Sequence, residues 1–464
     1  MELKHEFKNV WEEISKNGNM QEVLEYSKSY MDFLDKGKTE RLSIKEIQRL
    51  ATEKGYISLE EAMEKGNIKF GDKIYAINKD KAIALFLIGK NELEKGLKIV
   101  GGHIDSPRID IKANPLYEEA NLGFLKTHYY GGIKKYQWTT IPLAMHGVVI
   151  LKDGKRVDIC IGEDDSDPVF SITDLLVHLS ADQMQKKLGE GISGESLNIL
   201  IGHMPLEGEE KEAIEANILK LLNEKYEMTE EDFLSAEIQM VPAGKARDLG
   251  FDRSMILGYG HDDRVCSYAA VKSILDIDAS DYTSVVLCVD KEEVGSQGNT
   301  GMQSRFFENT LAELIELEGN YSELKVRRSM ANSKVLSADV SAGYDPNFAD
   351  AYEKRNSAYM GRGLVLNKYT GVKGKAGCND ANAEFMAEVR RIFNKENVIW
   401  QTAELGKVDQ GGGGTIAYIL ANYGAEVIDC GVSVLNMHAP YEIVSKADLY
   451  EMYKGYKAFL SVNL

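Results

Sequence analysis

The chain has 464 residues, 55 Lys+Arg against 73 Asp+Glu for a net charge of −18, and 44% hydrophobic residues. The acidity excludes a basic phosphate-binding face, and with it nucleic acid and anionic membranes as partners, while the apolar share suffices for sizeable cores. Five scattered cysteines without a CxxC pair (Cys160, Cys266, Cys288, Cys378, Cys430) exclude a disulfide framework and a thiolate zinc cage, and they fit a reducing cytoplasm.

The first 18 residues, MELKHEFKNVWEEISKNG, are charged throughout and have no apolar stretch of the kind a secretory signal needs. No apolar run approaches the ~20 residues of a membrane span. Val23, Tyr26, Tyr30 and Phe33 step by three, four and three, which predicts a helix with one buried face. Ser43 with Glu46 and Ser58 with Glu61 have capping-box spacing and predict two further helix starts, stopped by Gly55 and Gly66. Strands are predicted at 74–77, 82–88 and 97–100.

From about 109 to 243 the pattern turns β-rich. A hairpin is predicted at 148–161 around Asp153-Gly154, with a helix near 174–188 and a charged helix at 209–227. Beyond Gly250 helix and strand alternate: helix 265–275, strand 284–289, helix 305–318, strand 335–338, helices 380–393 and 415–421, strand 426–430 and a last helix from Ser445. Alternation of this kind implies a mostly parallel sheet flanked by helices. The expected fold is α/β, with one catalytic domain formed by 1–108 and 244–464 and a β-rich insert at 109–243.

Four of these strands run directly into metal-type ligands. Strand 97–100 leads to His103 and Asp105, strand 284–289 to Glu292 and Glu293, strand 335–338 to Asp339, and strand 426–430 to His438. In open α/β sheets the carboxyl ends of strands form the ligand crevice, so distant segments converge there. Asp262 and Asp263, before helix 265–275, are either a further contributor or an ordinary helix cap. Two histidines with several carboxylates and no cysteine suit Zn²⁺, Co²⁺ or Mn²⁺ in an open site. Five such ligands with a bridging carboxylate would hold two ions, and a neighbouring carboxylate would act as general base. The glycines Gly411–Gly414 read either as a substrate-facing turn or as a plain loop; they lack the Lys-Ser/Thr of a P-loop.

In chain order, HxDSP at 103–107, the pair Asp262-Asp263, DxEEVGS at 290–296, SxD at 337–339 and Met437-His438 resemble the M18 family of aspartyl aminopeptidases, in the same clan as the M42 (TET) aminopeptidases. The resemblance implies a zinc-peptidase-like domain carrying an inserted dimerisation domain, and a two-metal aminopeptidase acting on peptides with acidic N-termini. By the same resemblance one ion, most often zinc, takes His103, Asp262 and Asp339. The other takes Asp262, Glu293 and His438, with Asp262 bridging. Asp105 then orients His103 and Glu292 is the general base. Lys368 matches the family's substrate-pocket lysine, with Lys373 and Lys375 as rivals, and His178 matches an insert histidine that reaches a neighbouring subunit. The family's assembly, a tetrahedral dodecamer built from dimers, is expected as well. Competing readings are a carboxypeptidase or deacylase of the same metal clan, and a catalytically silent scaffold.

Overall fold

The structure is a computed structural model that describes Leu3 and residues 6–462. The chain divides into two compact units. One runs up to Asp105 and takes in Ala246–Met437 and the chain from Glu442; the other comprises Ser106–Lys245 and His438–Tyr441. The second unit is thus slightly wider than residues 109–243 and claims the short segment that carries His438. Among the described residues no helix is long and apolar enough to cross a membrane.

The first unit is built on a nine-stranded sheet in the order Ile57–Ser58, Lys73–Asn78, Ala82–Leu87, Thr283–Val289, Leu97–His103, Lys334–Ser337, Glu426–Gly431, Leu364–Asn367, Trp400–Thr402. The four strands from Thr283–Val289 to Glu426–Gly431 pair in parallel, and antiparallel pairings lie to either side. Leu97–His103 and Thr283–Val289 are buried at every position, as expected for strands covered on both faces. Alternate side chains enter two cores. Ile83, Leu85 and Val100 pack with helices Met20–Lys36, His261–Leu275 and Lys446–Ser461, whereas Ala84, Phe86 and Ile99 pack with Phe306–Glu318 and Glu323–Ala331. This is the mixed α/β class expected from the alternation.

Several predicted boundaries shift. Ser58 and Glu61 form the predicted capping box and Gly66 ends that helix in the left-handed region. Ser43 caps nothing: Thr39 starts the helix Glu40–Glu53, and the Ser43 hydroxyl donates to Gly37 O from inside it. The predicted helix 380–393 is Ala383–Lys395, and 415–421 shrinks to Ala417–Ala421. Helix 174–188 is absent as such. A 3₁₀ turn Val177–Leu179 and two four-residue helices replace it, because the contiguous apolar residues Leu175–Val177 share no helical face. A five-stranded sheet, Arg247–Leu249, Met255–Gly258, Glu442–Ser445, Ser433–Leu435, Ser341–Ala342, was not expected.

The second unit holds a seven-stranded sheet. The predicted Asp-Gly hairpin is present, with Leu143–Ile150 antiparallel to Arg156–Ile161. The charged helix predicted at 209–227 is Ala213–Tyr226.

Candidate metal centre

The parallel register brings the strand ends level. Val289 lies opposite His103, and Ser337 opposite Gly101, so the residues that follow each strand leave the sheet at one edge. The backbone keeps them joined past the strands, with Ile104 N donating to Val289 O at 2.9 Å and Ala338 N donating to Gly101 O.

His103 lies at the centre of this group and is 1% exposed. Its Nδ1 donates to the backbone carbonyl of Asp105 at 3.0 Å and lies 3.3 Å from the Asp105 carboxylate. Its Nε2 faces Asp262 Oδ1 at 3.2 Å, Glu292 Oε2 at 3.9 Å and Asp339 Oδ1 at 4.0 Å. Asp105 does more than face the ring. One of its oxygens accepts the Glu292 N–H and the other the Glu293 N–H, each at 3.2 Å, so a single carboxylate sets both the histidine and the Glu-Glu turn. That turn, Glu292–Val294, opens after Lys291 in the left-handed region, at φ 73°.

Asp262 and Asp263 lie inside the first turn of helix His261–Leu275, with non-helical dihedrals and a cis peptide between them. The three residues of this turn face three ways. His261 Nδ1 meets the Tyr30 hydroxyl at 2.6 Å, Asp262 N donates to Glu442 at 3.0 Å, and Asp263 Oδ2 accepts from His103 N at 3.4 Å.

The electrostatics are those of crowded carboxylates. Burial opposes charge on the His103 ring, but the carboxylates of Asp105, Asp262 and Glu292 that face it hold its pKa well above the ordinary value. Burial, then the charges of Asp263 and Glu292, push Asp339 well up, and burial does the same to Asp263. A divalent cation bound among them would offset this crowding and favour the deprotonated, ligating forms. His103 Nε2 is buried and makes no hydrogen bond of acceptable geometry, as a ligand nitrogen does. Two ligand sets bring their donor atoms within 4.8 Å of one another: His103, Asp262 and Glu293, and His103, Glu292 and Asp339. The donor chemistry fits a divalent metal ion. Both sets contain His103, and between them they hold the four ligands expected from this unit together with Glu292.

The other sequence candidates are placed as follows. His438 lies in the second unit, φ 66°, with its Nδ1 donating to Gly132 O at 2.8 Å. Lys368 is half-exposed and 3.6 Å from Asp380; Lys375 meets the same carboxylate at 2.8 Å, and Lys373 is exposed. His178 is exposed in the 3₁₀ turn of the second unit. Gly411–Gly414 pack against a neighbouring loop: Gly371 N donates to Gly413 O, and a Cβ on Gly412 would fall 2.0 Å from Gly371 O. Close backbone approach accounts for Gly411 and Gly412, whereas a Cβ on Gly413 or Gly414 would meet nothing within 4 Å. A cavity of about 980 Å³ in the second unit is lined chiefly by apolar residues such as Leu125, Met145, Ile159 and Phe170, without a cluster suited to hydrolysis. Sequence reasoning missed Glu442 altogether. Its partner is a backbone amide 180 residues away, an arrangement that leaves no spacing to read.

Comparison with known proteins agrees with this chemistry. The model of a family described as aminopeptidase I zinc metalloprotease (M18) matches residues 33–460. A probable M18 family aminopeptidase 1 of Clostridium acetobutylicum is 57% identical over 99% of both chains. The crystal structure of an M18 aminopeptidase from Thermotoga maritima superposes with a TM-score of 0.95 at 46% identity, covering 99% of this chain and 100% of that one. The S. cerevisiae mApe1 dodecamer structure, 20% identical with a TM-score of 0.76 over 94% of this chain and 96% of that one, shares the fold.

Proposed function

The chain belongs to the M18 family of zinc metallo-aminopeptidases, and from that premise we propose that it removes acidic N-terminal residues from peptides at a two-metal centre. The observation that carries the reading is the buried His103 ring with Asp262, Glu292 and Asp339 within 4.0 Å of its Nε2 and Glu293 in the same donor cluster. His103, Asp262, Glu293 and Asp339 are the proposed ligands from this unit, and His438 joins them on the family resemblance alone. Bound there, zinc (or Co²⁺ or Mn²⁺) supplies Lewis-acid polarisation of the scissile carbonyl and lowers the pKa of the attacking water.

The protein's own groups do the rest. The hydrogen bond from Nδ1 of His103 to Asp105 O directs the lone pair on Nε2 into the centre. Asp105 fixes the Glu292–Glu293 backbone through its two accepted amides, so the two carboxylates leave the turn in set directions. Glu292 is the proposed base: it takes a proton from water and returns it to the leaving amine.

The acidic preference rests on local charge. Lys368 and Lys375 share the single carboxylate of Asp380, which leaves one positive charge in excess in a chain of net −18. For assembly, the exposed apolar residues Leu176, Val177, Leu179 and Met184 around His178 support a homo-oligomer built through the second unit. We take a dodecamer as its form, in keeping with the S. cerevisiae mApe1 dodecamer, and the tetrahedral arrangement of dimers on the family resemblance alone. Five free cysteines support a cytoplasmic location.

The test is a metal-reconstituted assay over aminoacyl-coumarin substrates bearing Asp, Glu, Leu or Lys. Asp and Glu are expected to give the highest kcat/KM, and Lys368→Met is expected to cut the Asp-over-Leu ratio at least about tenfold, or about 1.4 kcal/mol. A preference for Leu or Lys in the unmodified enzyme overturns the acidic specificity and leaves the hydrolytic chemistry standing.

A further inference from the structure

We propose that Glu442 is a positioning residue of the metal centre, holding Asp262 in its ligating conformation by accepting its backbone N–H. The proposal rests on the reading of Asp262 as a metal ligand.

Gly258-Tyr259-Gly260 leads into His261–Leu275, and the first amides of any helix lack intrahelical acceptors. A side chain at the N-cap ordinarily takes one of them. Here the N-cap is Gly260, which has no side chain to offer and is at φ 76°. No larger residue fits in its place: a Cβ would fall 2.6 Å from the Arg264 guanidinium, whose nitrogens donate to the carbonyls of Ile104, Tyr259 and Lys38. The cap must therefore come from elsewhere, and the Asp262 amide is buried together with its side chain.

The five-stranded sheet supplies it. Glu442 opens the strand Glu442–Ser445, which runs antiparallel to Met255–Gly258 with Glu442 directly opposite Gly258. That register brings the Glu442 carboxylate to the helix start, where Oε2 accepts the Asp262 N–H at 3.0 Å. Glu442 is 1% exposed, so its charge is not there for solubility. An ionised acceptor bonds an amide more strongly than a neutral one, and a carboxylate at a helix N-terminus also suits the helix dipole. Asp262 departs from helical geometry at φ −76°, ψ 108°, and its Oδ1 is 3.2 Å from His103 Nε2. The hydrogen bond from Glu442 ties that departure to the sheet, so loss of the carboxylate leaves the Asp262 side chain free to turn away from His103.

The experiment measures zinc binding to metal-stripped protein by competition with a chromophoric chelator, alongside kcat and KM for the reconstituted enzyme. The variants are Glu442→Ala, Glu442→Gln, Asp262→Asn and, as a control on the same strand, Ile443→Ala. Outer partners of ligands typically contribute 10–100-fold in metal affinity. Glu442→Ala is expected to lose at least about tenfold in affinity and to lower kcat with KM little changed. Glu442→Gln, which keeps an acceptor oxygen at the same reach, is expected to recover most of that loss. Ile443→Ala is expected to lower Tm without changing zinc affinity, which separates positioning from general weakening of the strand. If Glu442→Ala gives no folded protein, Glu442→Asp, one methylene short of the amide, takes its place with the same expectation. Wild-type zinc affinity in Glu442→Ala, or in its substitute, overturns the proposal. If Asp262→Asn also binds zinc normally, the reading of the centre fails with it; if Asp262→Asn alone loses zinc, only the role of Glu442 fails.

Discussion

In the first unit Leu97–His103 and Thr283–Val289 are buried along their whole length, and His103, Asp105, Glu292 and Glu293 sit at or just beyond their carboxyl ends. In the second, Arg108–Glu119 passes from buried to exposed along its length, and the segment that follows Asp174 presents Val177 and Met184 at 76% and 75% exposure. A sheet covered on both faces can dehydrate charged side chains at its edge and shift their proton affinity, as it does for Asp339. The mixed face and apolar loop of the second unit offer surface that association would cover. On the proposed reading, most of the chemistry belongs to the first unit and assembly to the second.

The sharpest way to break this contrast is to remove the proposed base. Glu292→Gln keeps shape and burial but cannot take a proton, and turnover is expected to fall about 10²–10⁴-fold with zinc content and Tm close to wild type. Near-wild-type turnover in a zinc assay-matched preparation would move the base elsewhere in the site. The next largest effect concerns the second unit. Leu176→Glu with Leu179→Glu places charge on the exposed apolar loop, and light scattering is expected to show smaller species while circular dichroism stays unchanged. An unchanged mass would sever this loop from assembly.

The smallest expected effect tests the burial of the first unit itself. Asp448 is fully buried and accepts N–H bonds from Gly361 at 2.7 Å and Gly363 at 2.8 Å. Burial outweighs those bonds and raises its pKa to about 7. An aspartate in the unfolded chain titrates near ~3.9, so between roughly pH 4 and pH 7 the folded state binds the extra proton. The stability contributed by this group is therefore greatest below that window and falls as pH rises through it. Asp448→Asn is expected to flatten the decline in urea midpoint between pH 5 and pH 8. An equal decline in both proteins would place the pH dependence on other groups.

Much of the centre was legible from local pattern. HxDSP and EEVGS each follow a β-rich run, and parallel strands covered by helices leave their ends at one edge. The strand-end rule gathers His103, Glu292, Glu293 and Asp339, the family resemblance adds Asp262, and the structure brings their donor atoms within 4.8 Å in two sets that share His103. Which atoms meet depends on side-chain reach across the edge, which spacing does not show. The Ser43 capping box failed because Thr39 supplied a better start four residues earlier, with its side chain accepting from Leu42 N. The family match favours Lys368, with Lys373 and Lys375 as rivals; in the structure Asp380 engages both Lys368 and Lys375.

By itself the sequence determined the α/β class, the strand ends that carry ligands and the family to which the chain belongs, because these depend on periodicity and on short motifs. Only the tertiary structure decided that Asp105 accepts two amides of the Glu-Glu turn and that Glu442 caps the helix of Asp262. Both are contacts between a carboxylate and a backbone N–H, and every residue but proline carries that donor. A local partner such as Glu61 for the Ser58 amide shows in the spacing, but across 180 residues or more no pattern of residue types announces the acceptor, and the chain must fold before the amide finds it.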